Sequence, residues 1–344
     1  MKKCVSAFTA LLLAGSMLFA GGCSPRMLSK LSEGSGSQLT VDVDITDKTE
    51  DGVSIQTAVP QFGGFDTARL LNSNIQDLID AGIAEVKQAA KDLEQYPDRP
   101  PVPLLYESFF DYSSNADVLS TWITSYNYTG GAHGMTYLKP FTVNRKTGEF
   151  YSTLGSLFAE EEAGKKLITE KILAQIRANP DRYFPDAEKT VKDKNGNFSF
   201  YIEGDDLVVY FDLYDIAPYA AGIQYFKFPL KDLNVKAEFK GMNKTGAVRK
   251  NGMTLEFENK PVSGESGTFL PLVETAQALS HTVEYKDGKY TVDGKAVQPT
   301  MVNGVAYMPL NYFTDTLGDF VIYYDDILRL FTQTAPKRAA AESL

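Results

Sequence analysis

Three consecutive segments constrain this chain most: "LLYESFFDYS" from Leu104, "VLSTWITSYNY" from Val118 and "TYLKPFTVN" from Thr136. They are built from aromatic, β-branched and small polar residues, which fit a pleated, half-buried surface better than a helix. Further along, "NGNFSFYIEGDDLVVYFDLYDI" reads as a hairpin, two strands turning at "EGDD". Near the start, "LTVDVDITD" alternates Val and Ile with Asp, the pattern of a half-buried strand. Asp42 and Asp44 share its solvated face, and nothing nearby completes a metal site.

Two segments carry a helical period instead. Ala68, Leu71, Ile75, Leu78, Ile79, Val86, Ala90 and Leu93 form one apolar stripe, with Asp66 as the expected cap and "YPDRPPVP" as the stop. Leu167, Ile168, Ile172, Leu173 and Ile176 form a second, over Glu162 to Asn179, ended by Pro180. "DKNGN" is similar to the start of a calcium loop. It lacks the glycine at the sixth place from Asp193, which is Phe198, and the acid at the twelfth, which is Gly204, so it is read as a turn. Strands with two main helices that do not alternate strictly with them predict an α+β fold with an antiparallel sheet over residues 39–235.

The chain opens with Lys2 and Lys3, an apolar run from Val5 to Ala20, and Ala20-Gly21-Gly22-Cys23. The run is too short for a membrane span and has the shape of a secretory signal. Small residues leading to a cysteine resemble a bacterial lipobox, which implies cleavage after residue 22 and lipidation of Cys23. Two or more acyl chains then hold the protein at a membrane. Residues 23–38, rich in Gly and Ser, read as a flexible tether. With Cys4 removed and Cys23 lipidated, no disulfide, thiolate metal site or cysteine nucleophile remains. The formal charge is −10, and loss of Lys2 and Lys3 makes the remainder more acidic. That balance argues against nucleic acid, whose binding relies on Lys and Arg, and suits a cationic partner.

The C-terminal third repeats itself. "GTFLPLVETAQALSHTVEY" and "VAYMPLNYFTDTLGDFVIY" superpose with Pro271 on Pro309, Leu272 on Leu310, Leu279 on Leu317, Val283 on Val321 and Tyr285 on Tyr323. Each unit predicts a strand, a short helix opened by proline at its first position, and a second strand. Residues 240–332 therefore form a small α+β domain of two packed units, followed by a disordered tail at 333–344. This repeat resembles the domain named after the N-terminal region of copper amine oxidases, which implies a stalk-like accessory module. Copper needs several histidines. Only His281 lies here, so neither a metal nor another cofactor is expected.

The remaining question is "YNYTGGAHGMTY", Tyr126 to Tyr137. Gly130, Gly131 and Gly134 suit positive φ or close backbone approach in a tight connection. His133 either braces that turn or acts chemically, and acid–base work would need an orienting carboxylate beside it. No "GxSxG" elbow accompanies it. Downstream, Asp212 and Asp215 lie among Tyr210, Tyr214, Tyr219 and Tyr225. Aromatic faces with carboxylates grip sugar rings and amphipathic protein surfaces, although tyrosines on paired strands also simply pack.

"YNYTGGAHG" together with "FDLYDIAPYAAGIQYFKFPLKDL" resembles the extracellular domain shared by PdaC-type peptidoglycan deacetylases and RsiV-type anti-sigma factors, over about Leu39 to Leu233. In the first group the domain precedes a separate catalytic domain; in the second it is an outward sensor that binds lysozyme. The resemblance implies recognition at the cell envelope without catalysis. The expected ligand surface comprises Tyr126, Tyr128, Gly130, Gly131, His133, Gly134, Tyr214, Asp215 and Tyr219, with peptidoglycan or a lysozyme-like basic protein as partner. An envelope enzyme using His133 near Asp212 or Asp215, and a structural scaffold, are the alternatives.

Overall fold

The computed structural model describes residues 38–334 apart from 97, 99, 100 and 265. The leader, Cys23 and nearly all of the tether lie outside the described residues. Strands β1 (Thr40–Glu50) and β2 (Val53–Gly63) form a hairpin. Asp51 and Gly52 both take positive φ, 52° and 74°, the turn whose twist matches paired strands. Helix α1 (Ala68–Leu93) then crosses the sheet and leads into β3 (Leu104–Ser114), β4 (Val118–Tyr128) and β5 (Met135–Asn144). The sheet order is β1-β2-β3-β4-β5. It is antiparallel except between β2 and β3, which run parallel from Val53 opposite Leu104 to Thr57 opposite Ser108. A helix between two neighbouring strands permits that direction. The α1 stripe, Leu71, Ile75, Ile79 and Val86, is buried in one core with Val43, Ile55, Tyr106 and Phe110. Asp66 does not cap α1. Thr67 holds that place without a side-chain cap, and the turn closes through Leu71 N–H to Thr67 O at 3.0 Å.

Helix α2 (Glu161–Ala178) is followed by a short helix that the sequence pattern did not show, α3 (Ala187–Asp193), of which Asp193 is the last residue. Strands β6 (Ser199–Glu203), β7 (Asp206–Phe211) and β8 (Gln224–Pro229) make a second, antiparallel sheet in that order. Ile168, Ile172 and Ile176 of α2 are buried with Phe200, Ile202 and Phe226. The two sheets are joined through polar groups. Ser120 Oγ accepts the Ile202 N–H at 2.9 Å and Ser113 Oγ accepts the Gly204 N–H at 3.0 Å. Tyr210 donates to the Leu138 carbonyl at 2.7 Å. The exposed-edge liability of β6 is thus met by buried hydroxyls on the faces of β3 and β4. On β5, Leu138 O is taken by Tyr210 and Thr142 O by the Tyr151 N–H. Pro140 between them has no N–H, which blunts the edge.

The C-terminal region contains β9 (Val248–Lys250), β10 (Met253–Thr254), β11 (Val262–Gly264), β12 (Gly267–Pro271), α4 (Leu272–Ala278), β13 (Val283–Lys286), β14 (Lys289–Val292), β15 (Lys295–Val297), β16 (Thr300–Val302), β17 (Val305–Pro309), β18 (Phe320–Tyr324) and β19 (Ile327–Phe331). The repeat is physical. Strands β12 and β17 pair antiparallel about Leu270 and Met308, with Phe269 opposite Pro309 and Pro271 opposite Tyr307. Ser280 and Gly318, at equivalent positions, both turn left-handed, φ 76° and 78°. Two details differ from expectation. Pro271 is the cap residue before α4 rather than its first residue, and the second unit winds Tyr312–Leu317 as a π-helix.

His281 and Asp319 are the next equivalent pair, and they bind each other. His281 Nε2 lies 2.9 Å from Asp319 and Nδ1 2.6 Å from Asp293. Burial alone would lower the His281 pKa, but the two carboxylates outweigh it and raise it above 6.5. Asp293 is held low by the Thr282 N–H and by His281. A raised histidine stabilises the fold fully below 6.5 and ceases to do so as pH climbs through its folded value. The expected result is a urea midpoint that falls between pH 6 and pH 8.5 by more in the parent chain than in His281→Gln. Equal slopes for the two proteins would remove this clamp from the account.

The C-terminal region packs against the first sheet. Phe331 is buried in the first core, 5.4 Å from Phe110 between ring centroids. Residues 333 and 334, expected in a disordered tail, bind the free edge of β1. Thr334 N–H donates to Val43 O at 3.0 Å, Thr334 Oγ1 accepts from Val43 N at 2.7 Å, and Gln333 Oε1 accepts from Ile45 N at 2.6 Å. An unpaired strand edge is a ready template for such pairing. Residues 335–344 lie outside the described residues.

The joint also contains charge. Arg249 and Arg329 stand side by side on the parallel pair β9 and β19. Asp111 of β3 bridges them, 2.8 Å from Arg249 Nη1 and 2.8 Å from Arg329 Nε. Glu203 takes Arg249 Nη2 at 2.7 Å and Lys227 at 3.0 Å. Burial pushes the Glu203 pKa up, yet Arg249 and Lys227 win and hold it low.

Candidate functional site

The connection between β4 and β5 is the "GGAHG" segment. Gly130 takes φ 84°. Gly134 answers a different need: a Cβ there would lie 2.3 Å from the Tyr126 ring. Gly131 needs neither, since a Cβ there would meet only His133 O at 3.8 Å. The Tyr128 hydroxyl donates to Gly131 O at 3.0 Å and fixes the loop from below.

This loop meets the segment after β7. His133 stacks on Tyr219, ring centroids 3.8 Å apart and planes 22° apart. Tyr219 donates its hydroxyl to Gly134 O at 2.9 Å. His133 Nδ1 lies 3.1 Å from that same carbonyl and Nε2 3.1 Å from the Tyr214 hydroxyl. A carbonyl only accepts, so Nδ1 carries a proton, and in the neutral ring Nε2 then accepts from the Tyr214 hydroxyl. Tyr214 sits at φ 69°, a costly conformation for a bulky side chain. It is 47% exposed. Its ring centroid is 5.8 Å from that of Tyr219. The product is an outward-facing plate of His133, Tyr214 and Tyr219, with Tyr126 closing its base.

Other expected members stand apart. Asp215 turns to Lys194 at 3.1 Å, and among the described residues no carboxylate is hydrogen-bonded to the His133 ring. Tyr210 is buried and spent on Leu138. Asp212 is pushed up to about 6, first by desolvation of its carboxyl and then by Asp215, against Lys194 and Lys139. Two exposed tyrosines were missed by sequence reading. Tyr137 of β5 is 41% exposed; outward alternation along β5 was the available signal. Tyr324, at the end of β18, is 38% exposed with its ring tilted against Phe109 at 6.0 Å between centroids; no local pattern placed it there. Among the described residues no group of three or more His, Cys, Asp or Glu is arranged to hold a metal ion, and no helix is long and apolar enough to cross a membrane.

Comparison with known proteins divides the chain. Residues 45–136 match the family model described as Deacetylase PdaC. Residues 155–231 match the one described as Protein of unknown function (DUF3298). No curated protein matches. Among solved structures, a DUF3298 family member from Bacteroides fragilis NCTC 9343 aligns at 14% identity and TM-score 0.42, covering 61% of this chain and 99% of its own. A DUF3298 family protein from Pseudomonas aeruginosa PAO1 aligns at 18% identity and TM-score 0.38, with the same coverages. The chain therefore carries a segment matching PdaC followed by one matching DUF3298, and the plate joins them, His133 coming from the first and Tyr214 and Tyr219 from the second.

Proposed function

We propose that this protein is a non-catalytic binding protein of the cell envelope, held to the membrane by a lipid on Cys23, whose plate recognises wall glycan. The observation that carries the reading is where the polar groups of the plate are spent. The hydroxyls of Tyr214 and Tyr219 are spent within the plate and its loop, on His133 Nε2 and Gly134 O, and the neighbouring Tyr128 hydroxyl is spent on Gly131 O. What faces outward is ring surface held rigid, and aromatic faces pair well with the C–H faces of sugar rings. A basic protein would call on carboxylates instead. Asp215 is already paired with Lys194. Catalysis by His133 would need an orienting carboxylate, and its ring nitrogens go to a carbonyl and a phenol.

The test is retention of residues 24–344 on insoluble peptidoglycan and, separately, on immobilised lysozyme, at low and high salt. Glycan retention that survives salt is expected, with Tyr214→Ala weakening it about tenfold, within the worth of aromatic contacts. Retention by lysozyme alone, lost with salt, would replace the glycan reading with a protein partner drawn by the acidic surface. A deacetylase or hydrolase activity abolished by His133→Ala would replace it with an enzyme.

A further inference from the structure

Strand β3 is the middle strand of the first sheet, and Glu107 stands on it in register between Gln56 of β2 and Tyr126 of β4. Glu107 is half-buried. Among the described residues its carboxylate makes no hydrogen bond and no ion pair, and burial alone pushes its pKa up. Polar groups at such depth are normally matched, and other carboxylates of this joint are: Asp111 by Arg249 and Arg329, Glu203 by Arg249 and Lys227. The groups around Glu107 are committed elsewhere. Gln56 Nε2 turns to Asp47 at 3.5 Å. Arg329 lies over Phe109, two residues along β3, but is held by Asp111 and by the carbonyls of Tyr324 and Ile327.

The position of Glu107 gives the charge a use. Residues directly opposite on an antiparallel pair share one face, with Cβ atoms about 5 Å apart. Opposite Glu107 is Tyr126, the ring that closes the base of the plate. A Cβ on Gly134 would lie 2.3 Å from that ring, and the Gly134 carbonyl holds both His133 and Tyr219. The next pair on the face, Leu105 opposite Tyr128, is tied to the same loop through the Tyr128 hydroxyl and Gly131 O. A ligand spread over the plate therefore meets, one strand inward, a carboxylate in need of a donor. A neutral hydroxyl would supply a hydrogen bond only. A protonated amine supplies the hydrogen bond and the missing positive charge, and such charge-assisted contacts are about twice as strong.

We infer that Glu107 extends the plate into a site for amino sugars whose nitrogen is free, the sugar ring lying on the aromatic faces and its ammonium group on Glu107. The inference rests on the glycan reading above and narrows it from wall glycan in general to glycan carrying unacetylated amines.

Acetylation separates the two claims. The probes are β-1,4-linked glucosamine hexamer and its fully N-acetylated counterpart, titrated calorimetrically into residues 24–344 in slightly acidic buffer, where the amines are protonated. The parent chain is expected to bind both, the amine form about tenfold more tightly. Glu107→Gln is expected to remove that preference and leave the acetylated hexamer unchanged. Its melting temperature should equal the parent's or exceed it, because the change deletes an unmatched charge in place. Glu284→Gln, which removes an equal charge from exposed β13, should keep the preference, so that general attraction to an acidic protein is not its cause. Equal binding of the two hexamers by the parent chain overturns the role of Glu107 and leaves the plate standing. A lowered melting temperature of Glu107→Gln also overturns it, since the carboxylate would then serve the fold. Hexalysine bound as tightly as the amine hexamer, and with the same dependence on Glu107, replaces the amino sugar with a basic protein segment. Binding of neither hexamer by the parent chain overturns the glycan reading, and the amine site with it.

Discussion

Replacing Asp111 by alanine is expected to lower the stability of the whole protein by about 3–5 kcal/mol, the cost of removing one partner from a buried ion pair. The geometry places this site at the severe end. Arg249 and Arg329 face each other directly across a strand pair, and like charges so placed repel. Both side chains are almost fully buried, at 3% and 5% exposure. Asp111 alone touches both, and Glu203 relieves only Arg249. Without Asp111, Arg329 keeps, among the described residues, the backbone carbonyls Tyr324 O and Ile327 O and the face of Phe109 at 4.8 Å. The chain's single tryptophan, Trp122, has Arg249 over its ring at 5.9 Å, so its fluorescence reports the joint directly. Urea unfolding followed at Trp122 should show one lowered midpoint. The combined change Asp111→Leu, Arg249→Met and Arg329→Met should recover most of the loss, because an apolar replacement of a buried charge cluster is often neutral or better. A loss under about 1 kcal/mol for Asp111→Ala would mean that water reaches the cluster and that the joint is looser than drawn.

The second large effect is expected at Gly134. A methyl group there would lie 2.3 Å from the Tyr126 ring and 2.4 Å from its hydroxyl, so ring or loop must move. Overpacking of this kind costs about 1–3 kcal/mol. The functional loss should be larger than that of a neighbouring change, because the Gly134 carbonyl anchors both His133 Nδ1 and the Tyr219 hydroxyl. Moving it unseats both rings. Gly134→Ala should therefore lower thermal stability and abolish glycan retention together. Gly131→Ala, whose new methyl would meet nothing closer than 3.8 Å, should alter neither. Matching behaviour of the two variants would sink the proposed anchoring role of Gly134.

The cores form by different rules, and this bears on how much could be read beforehand. The α1 stripe was legible because Leu71, Ile75, Ile79 and Val86 recur at the helix period, and all four are buried. The α2 stripe was legible for the same reason. Helix α3 was not: seven residues present only Ala187 and Val191 to the core, too few to declare a period. Four strands of the first sheet, β1, β3, β4 and β5, were visible through alternation and composition, but β2 was not singled out and its parallel pairing with β3 was not foreseen, since a long intervening helix permits either neighbour. The repeat was legible down to single residues, and the matched left-handed Ser280 and Gly318 confirm its alignment.

The candidate site divides in the same way. Gly130, Gly134 and His133 were singled out because glycine density marks a special backbone, and Tyr214 and Tyr219 because tyrosines crowd one stretch. That His133 stacks on Tyr219 and receives the Tyr214 hydroxyl could be guessed only as an association of motifs. Asp215 was included because it is adjacent in sequence, and its actual partner, Lys194, decided otherwise. That Tyr324 would pack on Phe109 was out of reach, since nothing in "VIYYDD" says which distant surface the turn will meet.

By itself, then, the sequence determined the α+β class, most of the strand runs, the two long helices and the repeat, because these rest on periodicities that neighbouring residues carry. Tertiary structure alone decided that Asp111 would hold two arginines from the far end of the chain, that residues 333 and 334 would extend the edge of β1, and that His133 would lie against Tyr219. These depend on which faces and edges meet once the cores close. Side-chain alternation fixes which way a residue points, and only packing at long range fixes what it finds there.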